Sequence, residues 1–362
     1  MNKRSFLSSV LIALVHLEPA SVAASPIPDA TKSLRFTSAP DIFNWNISNP
    51  QPGWEETLSW FFDRLHQEGP DFHLNAGDIM DARWWDSPEQ VKTKTEEYWP
   101  GFLKRYAERG MTLYLAPGDH EYGDDGGLER GDIARAFAKQ FSEMMGMPKN
   151  GPASNLGRAF WVRKNNLLIV TLDTFVDRGD HFGYTVGAEQ LEWFDKVLTE
   201  QSSADFVVVQ GHLPIIGPVR SQNSSGSMLE GGTESELWKI MVKHKVDAYL
   251  TGEHHRITVS NKDGIWQIVH GALWGTQPDL NYLRGEVSAN RLKLELVEFD
   301  VTYSGDFIGD HPHRSERNRP REIVSLSEHT KVYGPRVSGN LTIQRNSDGS
   351  KGIGQATGWF NR

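Results

Sequence analysis

The 362-residue sequence predicts an α/β fold, and three features carry that expectation. Four short apolar runs each end at a glycine beside Asp, His or Glu. Segments with apolar residues at helical spacing lie between those runs. Beyond Ile265 the pattern changes to strand after strand. Short apolar runs bounded by glycine read as buried strands. Residues just past the carboxyl ends of such strands line the crevice where open α/β sheets bind ligands.

A first strand is expected over Ser33 to Ser38, ending near Asp41. Trp54 to Glu68 reads as a helix, because Trp54, Leu58, Phe61, Phe62 and Leu65 share one face. The run Phe72 to Ala76 leads into Gly77-Asp78-Ile79-Met80-Asp81. Asp86 or Ser87 then caps a helix with Pro88 in its first turn. A break is expected in it at Pro100-Gly101, with resumption to Arg109. The strand Met111 to Ala116 delivers Gly118-Asp119-His120-Glu121, and a helix follows over Arg130 to Met147. The second half repeats the alternation: strand Asn166 to Asp173, helix Ala188 to Glu200, strand Asp205 to Gln210, helix Thr233 to Lys245, strand Val246 to Thr251. Its strands deliver Gly211-His212 and Gly252-Glu253-His254-His255. Residues 217–233, rich in Ser and Gly, read as a surface loop near the strand ends, either a lid or a passive excursion. Trp266 to Val269 is a strand, Glu286 to Thr302 one long strand or a hairpin, and Leu341 to Ile343 a final strand. The expected organisation is a signal peptide over 1–24, a domain over 33–300, and a partly β extension over 301–362 packed on it.

Composition narrows the class. A hydrophobic content of 38% with 34 Gly and 12 Trp suits a compact protein with a substantial core. Most of the tryptophans fall inside expected helices and strands, which favours core packing over a carbohydrate-binding surface. A formal charge of −9 argues against a nucleic-acid coat or an anionic-membrane binder. It says little about a small anionic substrate, since a bound metal can dominate the local field. Lys3 and Arg4, the apolar stretch Phe6 to Leu17 and the small residues Ser21-Val22-Ala23-Ala24-Ser25 form a secretory signal pattern. The stretch is short for a bilayer span. The expectation is therefore a secreted or periplasmic protein with no membrane attachment after cleavage. There is no cysteine, so any metal must be held by carboxylate, imidazole and amide groups.

Four strand ends that present carboxylate or imidazole read as a metal site. A two-metal hydrolytic site needs carboxylates to bridge and neutralise the cations, imidazoles to complete the shells, and an open position for water. Asp78 is the candidate shared carboxylate. Asp119 and His212 would lie over one metal and His255 over the other. His120 would face the leaving group as a general acid.

Taken in order, Asp41, Gly77-Asp78, Gly118-Asp119-His120-Glu121, Gly211-His212 and Gly252-Glu253-His254-His255 resemble the calcineurin-like metallophosphoesterase family. Its pattern is Asp-x-His, Gly-Asp, Gly-Asn-His-Glu/Asp, Gly-His, then Gly-His-x-His, and the resemblance covers roughly residues 33–300. It implies a two-layer β-sandwich flanked by helices, with a dinuclear metal site at the strand ends. It also implies hydrolysis of phosphate mono- or diesters of a small-molecule substrate through a metal-bound hydroxide. Each motif alone is weak; all of them in order, each after an apolar strand, are specific.

The departures bear on the metal. Phe43 stands where the family has its first His. Asp119 replaces an Asn, and Glu253 replaces the first His of the last motif, while His255 matches the second. The set Asp41, Asp78, Asp119 and Glu253 brings four carboxylates where the family has two. An oxygen-rich set of that kind favours two divalent ions, or a ferric-type ion, drawn from Mn, Mg, Fe or Ca over Zn. Asp81 lies where purple acid phosphatases, which also lack that first His, place a Tyr ligand. It is either a substitute ligand or a carboxylate that orients a neighbour or caps a helix. Arg83 is a candidate for the substrate's anionic group, or else one half of a surface ion pair. His254 is a second candidate for substrate contact, although adjacent side chains leave a strand end on opposite sides. His73 and His270 read as structural, and Asp173 as scaffold. The rival reading is a degenerate member that binds a metal, ligand or carbohydrate without turnover, motivated by Phe43.

Overall fold

In the computed structural model, strand β1 (Leu34–Ser38) is followed by helix α1 (Trp54–Gln67), β2 (Phe72–Asn75), α2 (Pro88–Ala107) and β3 (Leu113–Leu115). Two helices, α3 (Asp124–Leu128) and α4 (Gly131–Met144), lead to β4 (Phe160–Lys164) and β5 (Leu167–Thr171). A small ribbon, β6 (Val176–Asp177) and β7 (Phe182–Gly183), precedes α5 (Ala188–Glu200), β8 (Phe206–Gln210), α6 (Glu236–Lys243) and β9 (Ala248–Thr251). The rest is β: β10 (Thr258–Lys262), β11 (Ile265–Val269), β12 (Leu280–Ser288), β13 (Arg291–Tyr303), β14 (Ile323–Ser325), β15 (Thr330–Arg345) and β16 (Lys351–Gly358). The structure describes residues 33–42, 53–80, 82–83, 85–271, 280–304 and 323–361. The expected signal peptide, Phe43 and Asp81 lie outside the described residues.

Two sheets carry the molecule. One has the order β14-β15-β13-β12-β1-β2-β3, with β16 also on β15; the other has β10-β11-β9-β8-β5-β4. Strands β1, β2 and β3 are parallel neighbours, as are β5, β8, β9 and β11. The layering follows from the period-2 alternation of strand side chains. Phe36 and Leu74 of the first sheet and Ile169, Val208, Leu250 and Ile268 of the second share one buried cluster. The alternate residues Leu168, Val170, Val207 and Val209 pack on the other face against Phe194, Leu198, Leu237 and Met241 of α5 and α6. This is an α/β fold of packed sheets flanked by helices.

Helix α1 buries Trp54, Leu58, Phe61, Phe62 and Leu65, the stripe expected of it. Ser87 caps α2 by accepting from the Gln90 amide. The expected break at Pro100-Gly101 does not occur: α2 is continuous through Pro100. A proline in a helix interior loses one backbone hydrogen bond and strains the preceding turn, at about 3 kcal/mol. Here Trp99, Phe102 and Tyr106 are buried on both sides of it. The Phe62 ring of α1 contacts those of Phe102 (6.4 Å) and Tyr106 (4.8 Å) after the proline, while Trp99 before it contacts Phe137 and Phe141 of α4 (6.3 Å each), so both halves are held by packing.

Glu286 to Thr302 is a hairpin rather than one strand, because β12 and β13 pair antiparallel from Ser288 and Arg291 outward. The short strand expected at Leu341–Ile343 is part of the 16-residue β15, which pairs with β13 along nearly its whole length. Two edge strands, β4 and β10, close hairpins whose turns place Asn165 and Asp263 at φ 53° and 54°. Among the described residues no helix is long and apolar enough to cross a membrane.

Candidate metal centre

The carboxyl ends of β1, β2, β3, β8 and β9 meet at one edge of the two sheets. The turns after them carry Asp41, Asp78, Asp119, His212, and Glu253 with His255. All six are nearly or wholly buried. Their ligand atoms form two groups: Asp78, Asp119, His212 and Glu253, and Asp41, Asp78 and His255, each within 4.8 Å. Asp78 belongs to both. The first group is tight, with His212 Nε2 at 2.9 Å from Asp119 Oδ1, 3.3 Å from Glu253 Oε2 and 3.4 Å from Asp78 Oδ2. In the second, His255 Nε2 is 3.9 Å from Asp41 Oδ1.

Both imidazoles are oriented by the backbone. His212 Nδ1 bonds the Ala76 carbonyl at 2.8 Å, and His255 Nδ1 bonds the Gln222 carbonyl at 3.0 Å. Each therefore presents Nε2 to the carboxylates, the arrangement that fixes tautomer and ring angle in metal-bound histidines. Asp41 Oδ2 is buried without a hydrogen-bond partner. Such an atom is costly unless something satisfies it, and a cation among these donors would do so.

The electrostatics agree. Burial, then Asp78, raises the Asp41 carboxyl well above its ordinary value. Burial, then Asp119, raises Asp78 to about 7. Burial acts the same way on Asp119, but His120 and His212 outweigh it and hold that carboxyl below its ordinary range. Burial opposes protonation of His212, yet Asp78, Asp119 and Glu253 raise it well above ordinary. Burial lowers His255 to about 4. Without cations the cluster thus takes up protons to offset its negative charge. The donor set is hard and oxygen-rich and fits divalent cations.

Backbone shape explains why the motifs need glycine. Asp41, Asp78, Glu253 and His255 lie at φ 55°, 60°, 71° and 56°, a left-handed region that non-glycine residues adopt at a cost and that clusters at functional sites. A side chain at Gly118 would collide with Asp78, and one at Gly77 with the Gly118 backbone. The two turns are clamped by a residue to which sequence reasoning gave no role. The buried Glu121 carboxylate accepts from the amides of Asp78 (2.8 Å), Ile79 (2.9 Å) and Gly118 (2.8 Å). Its place three residues after Gly118 in the motif is the signal that marks it.

The region from residue 34 to residue 256, from β1 to just past His255, matches the family model described as calcineurin-like phosphoesterase. The chain belongs to this family. The phosphoesterase fold is similar to that of a purple acid phosphatase isolated from yellow lupin (Lupinus luteus) seeds, at 17% identity and a TM-score of 0.51. The match covers 76% of this chain and 53% of the lupin chain, so the chain spans about half the length of that enzyme. It is also similar to GAP50, the anchor in the inner membrane complex of Plasmodium, at 14% identity and a TM-score of 0.46, over 74% of this chain and 84% of the other. At 17% identity the likeness to the lupin protein is one of fold. No curated protein gives a significant sequence match.

The remaining candidates separate cleanly. His120 sits at the cluster's edge, with Nε2 4.0 Å from Asp78 Oδ2 and 3.8 Å from Asp124 Oδ1. Arg83 is exposed at the rim and pairs with Asp124. His254 turns from the cluster, with Nε2 3.1 Å from the Ser227 carbonyl. Asp173 accepts from Tyr122 (2.6 Å), Asn155 (2.8 Å) and Arg158 (2.9 Å) and braces the scaffold. His73 is buried against Thr37 at 2.7 Å, and His270 against Ser38 at 2.9 Å.

Proposed function

We propose that this chain is a metal-dependent hydrolase of phosphate mono- or diesters on a small-molecule substrate. The observation that carries the reading is the sharing of Asp78 between two adjacent ligand groups, which is the layout of a two-metal site. Asp41, Asp78 and His255 would hold one cation, and Asp78, Asp119, His212 and Glu253 the other. Bound there, the cations supply charge for the phosphoryl oxygens and make water a better nucleophile at neutral pH.

The protein's own groups do the rest. His212 and His255 keep their inward nitrogens fixed through their backbone bonds. Glu121 holds the Asp78 and Asp119 turns together, so the reacting group meets a preorganised edge. His120 Nε2 stands beside the shared carboxylate, where it can stabilise developing charge and donate a proton to the leaving oxygen. Arg83, at the rim, lies where it can meet an anionic part of the substrate. The carboxylate-rich set favours Mn, Mg, Fe or Ca over Zn. The signal-like segment before residue 25 supports secretion or a periplasmic location, which N-terminal sequencing of the protein exported from its host would check.

The test is turnover of aryl phosphate monoesters and diesters by purified protein supplied with Mn, Mg, Ca, Fe or Zn, beside Asp78→Ala and His120→Ala. Metal-dependent turnover lost in both variants is the expected result. Turnover unchanged in Asp78→Ala would refute the reading.

A further inference from the structure

The segment 222–227 is knitted to the turn that carries Glu253 and His255. Gln222 N donates to the His254 carbonyl at 3.0 Å, and the Gln222 carbonyl accepts from His255 Nδ1 at 3.0 Å. Three more donors converge on a single atom. Ser224 Oγ (3.0 Å), Ser225 Oγ (2.6 Å) and the Ser227 amide (3.0 Å) all donate to Glu253 Oε1. The other oxygen, Oε2, faces His212 Nε2 at 3.3 Å. One oxygen of the carboxylate is thus committed to the loop and one is turned toward the ligand group.

This division matters because Glu253 stands where the family pattern has a histidine. An imidazole offers a metal one neutral atom. A free carboxylate offers two oxygens and a full charge. Three donors on Oε1 occupy its lone pairs and draw charge from the group, leaving Oε2 as a single ligand atom. We propose that Ser224 and Ser225 are positioning residues that make Glu253 a one-oxygen metal ligand, so that a carboxylate serves in an imidazole's place. The proposal rests on the reading above that Glu253 holds a metal. Partners that orient a ligand from outside typically set metal affinity by 10- to 100-fold. The coupling is reciprocal, so a metal that holds Glu253 also holds the serine loop.

The test is calorimetric titration of Mn(II) into the metal-stripped full chain, with amide hydrogen exchange at residues 224–227 followed in parallel. Wild type should bind two ions and slow its loop exchange on loading. The Ser224→Ala/Ser225→Ala variant should bind one ion 10- to 100-fold more weakly and the other unchanged, with Ser225→Thr close to wild type. Glu253→His should still bind two ions but lose the Mn-dependent slowing of loop exchange. Unchanged affinities in the double serine variant, or equal weakening of both steps, would overturn the proposal while leaving the two-metal reading in place. Wild type that binds no Mn(II) would overturn both.

Discussion

Metal loading should flatten the dependence of this protein's stability on pH. In the metal-free chain the Asp78 carboxyl titrates near 7, against an ordinary 3.8, and His212 is held well above its ordinary value. A group whose pKa is raised by folding contributes stability below its unfolded pKa, and loses it as pH rises through the folded pKa. The histidines that burial lowers, His73 to about 3 and His255 and His270 to about 4, act the other way. They do so only below about pH 6.5, their ordinary value. Between pH 7.0 and 8.5 they are neutral in both states, so His212 and the two carboxyls that burial raises, Asp41 and Asp78, set the slope. One to two protons at about 1.4 kcal/mol per pH unit give a loss of about 2–4 kcal/mol across that window. Cations need the same ligands deprotonated, so their contribution grows as pH rises. At a hundredfold excess over Kd each site adds about 2.7 kcal/mol; for two sites that is a rise in Tm of roughly 10 °C. The assay is differential scanning calorimetry at pH 7.0 and 8.5, with chelator and with Mn(II). The metal-free Tm should fall with pH and the gap to the loaded protein should widen. A metal-free Tm that rises across the window, or a gap that does not change, would refute the reasoning.

Other perturbations separate chemistry from scaffold. His120→Gln should lower kcat by about 10²–10⁴-fold, most on esters with poor leaving groups, while ion content by mass spectrometry stays the same. Glu121→Ala would strand three buried amides. It should lower the denaturation free energy by several kcal/mol, at about 1–3 kcal/mol per unsatisfied group, and Glu121→Gln, which keeps an acceptor, should be milder. Gly118→Ala should cost about 1–3 kcal/mol by overpacking against Asp78 and weaken metal binding. By contrast Gly101→Ala, in open space within α2, should raise stability by about 0.5–1 kcal/mol.

The site was legible in the sequence because its geometry demands particular residues at particular places. Glycine is required at 77 and 118 by the contact between their turns, and the acidic or imidazole neighbours follow at once, so each motif announces itself after its strand. The apolar stripe of α1 is legible for the same reason: one face alone is buried. Pro100 misled, because tertiary packing by Trp99, Phe102 and Tyr106 outweighs a local preference. The edge strand β10 was hidden by polar composition, although Asp263-Gly264 between Val259 and Trp266 is a hairpin signal that could have been used. The extent of β15 was hidden by its glycines and Pro335, which break the alternation that marks a strand. The hold of the serine loop on Glu253 depends on contacts across more than 25 residues of chain, which no local pattern records.

The sharing of Asp78 by two metal positions underlies the proposed chemistry. It is tested most directly by counting ions bound to wild type and to Asp78→Asn after reconstitution with Mn(II) and removal of excess. Wild type should bind two ions per chain, and a still-folded Asp78→Asn should lose both. One ion retained at wild-type affinity by that variant, or none bound by the wild type, would contradict it.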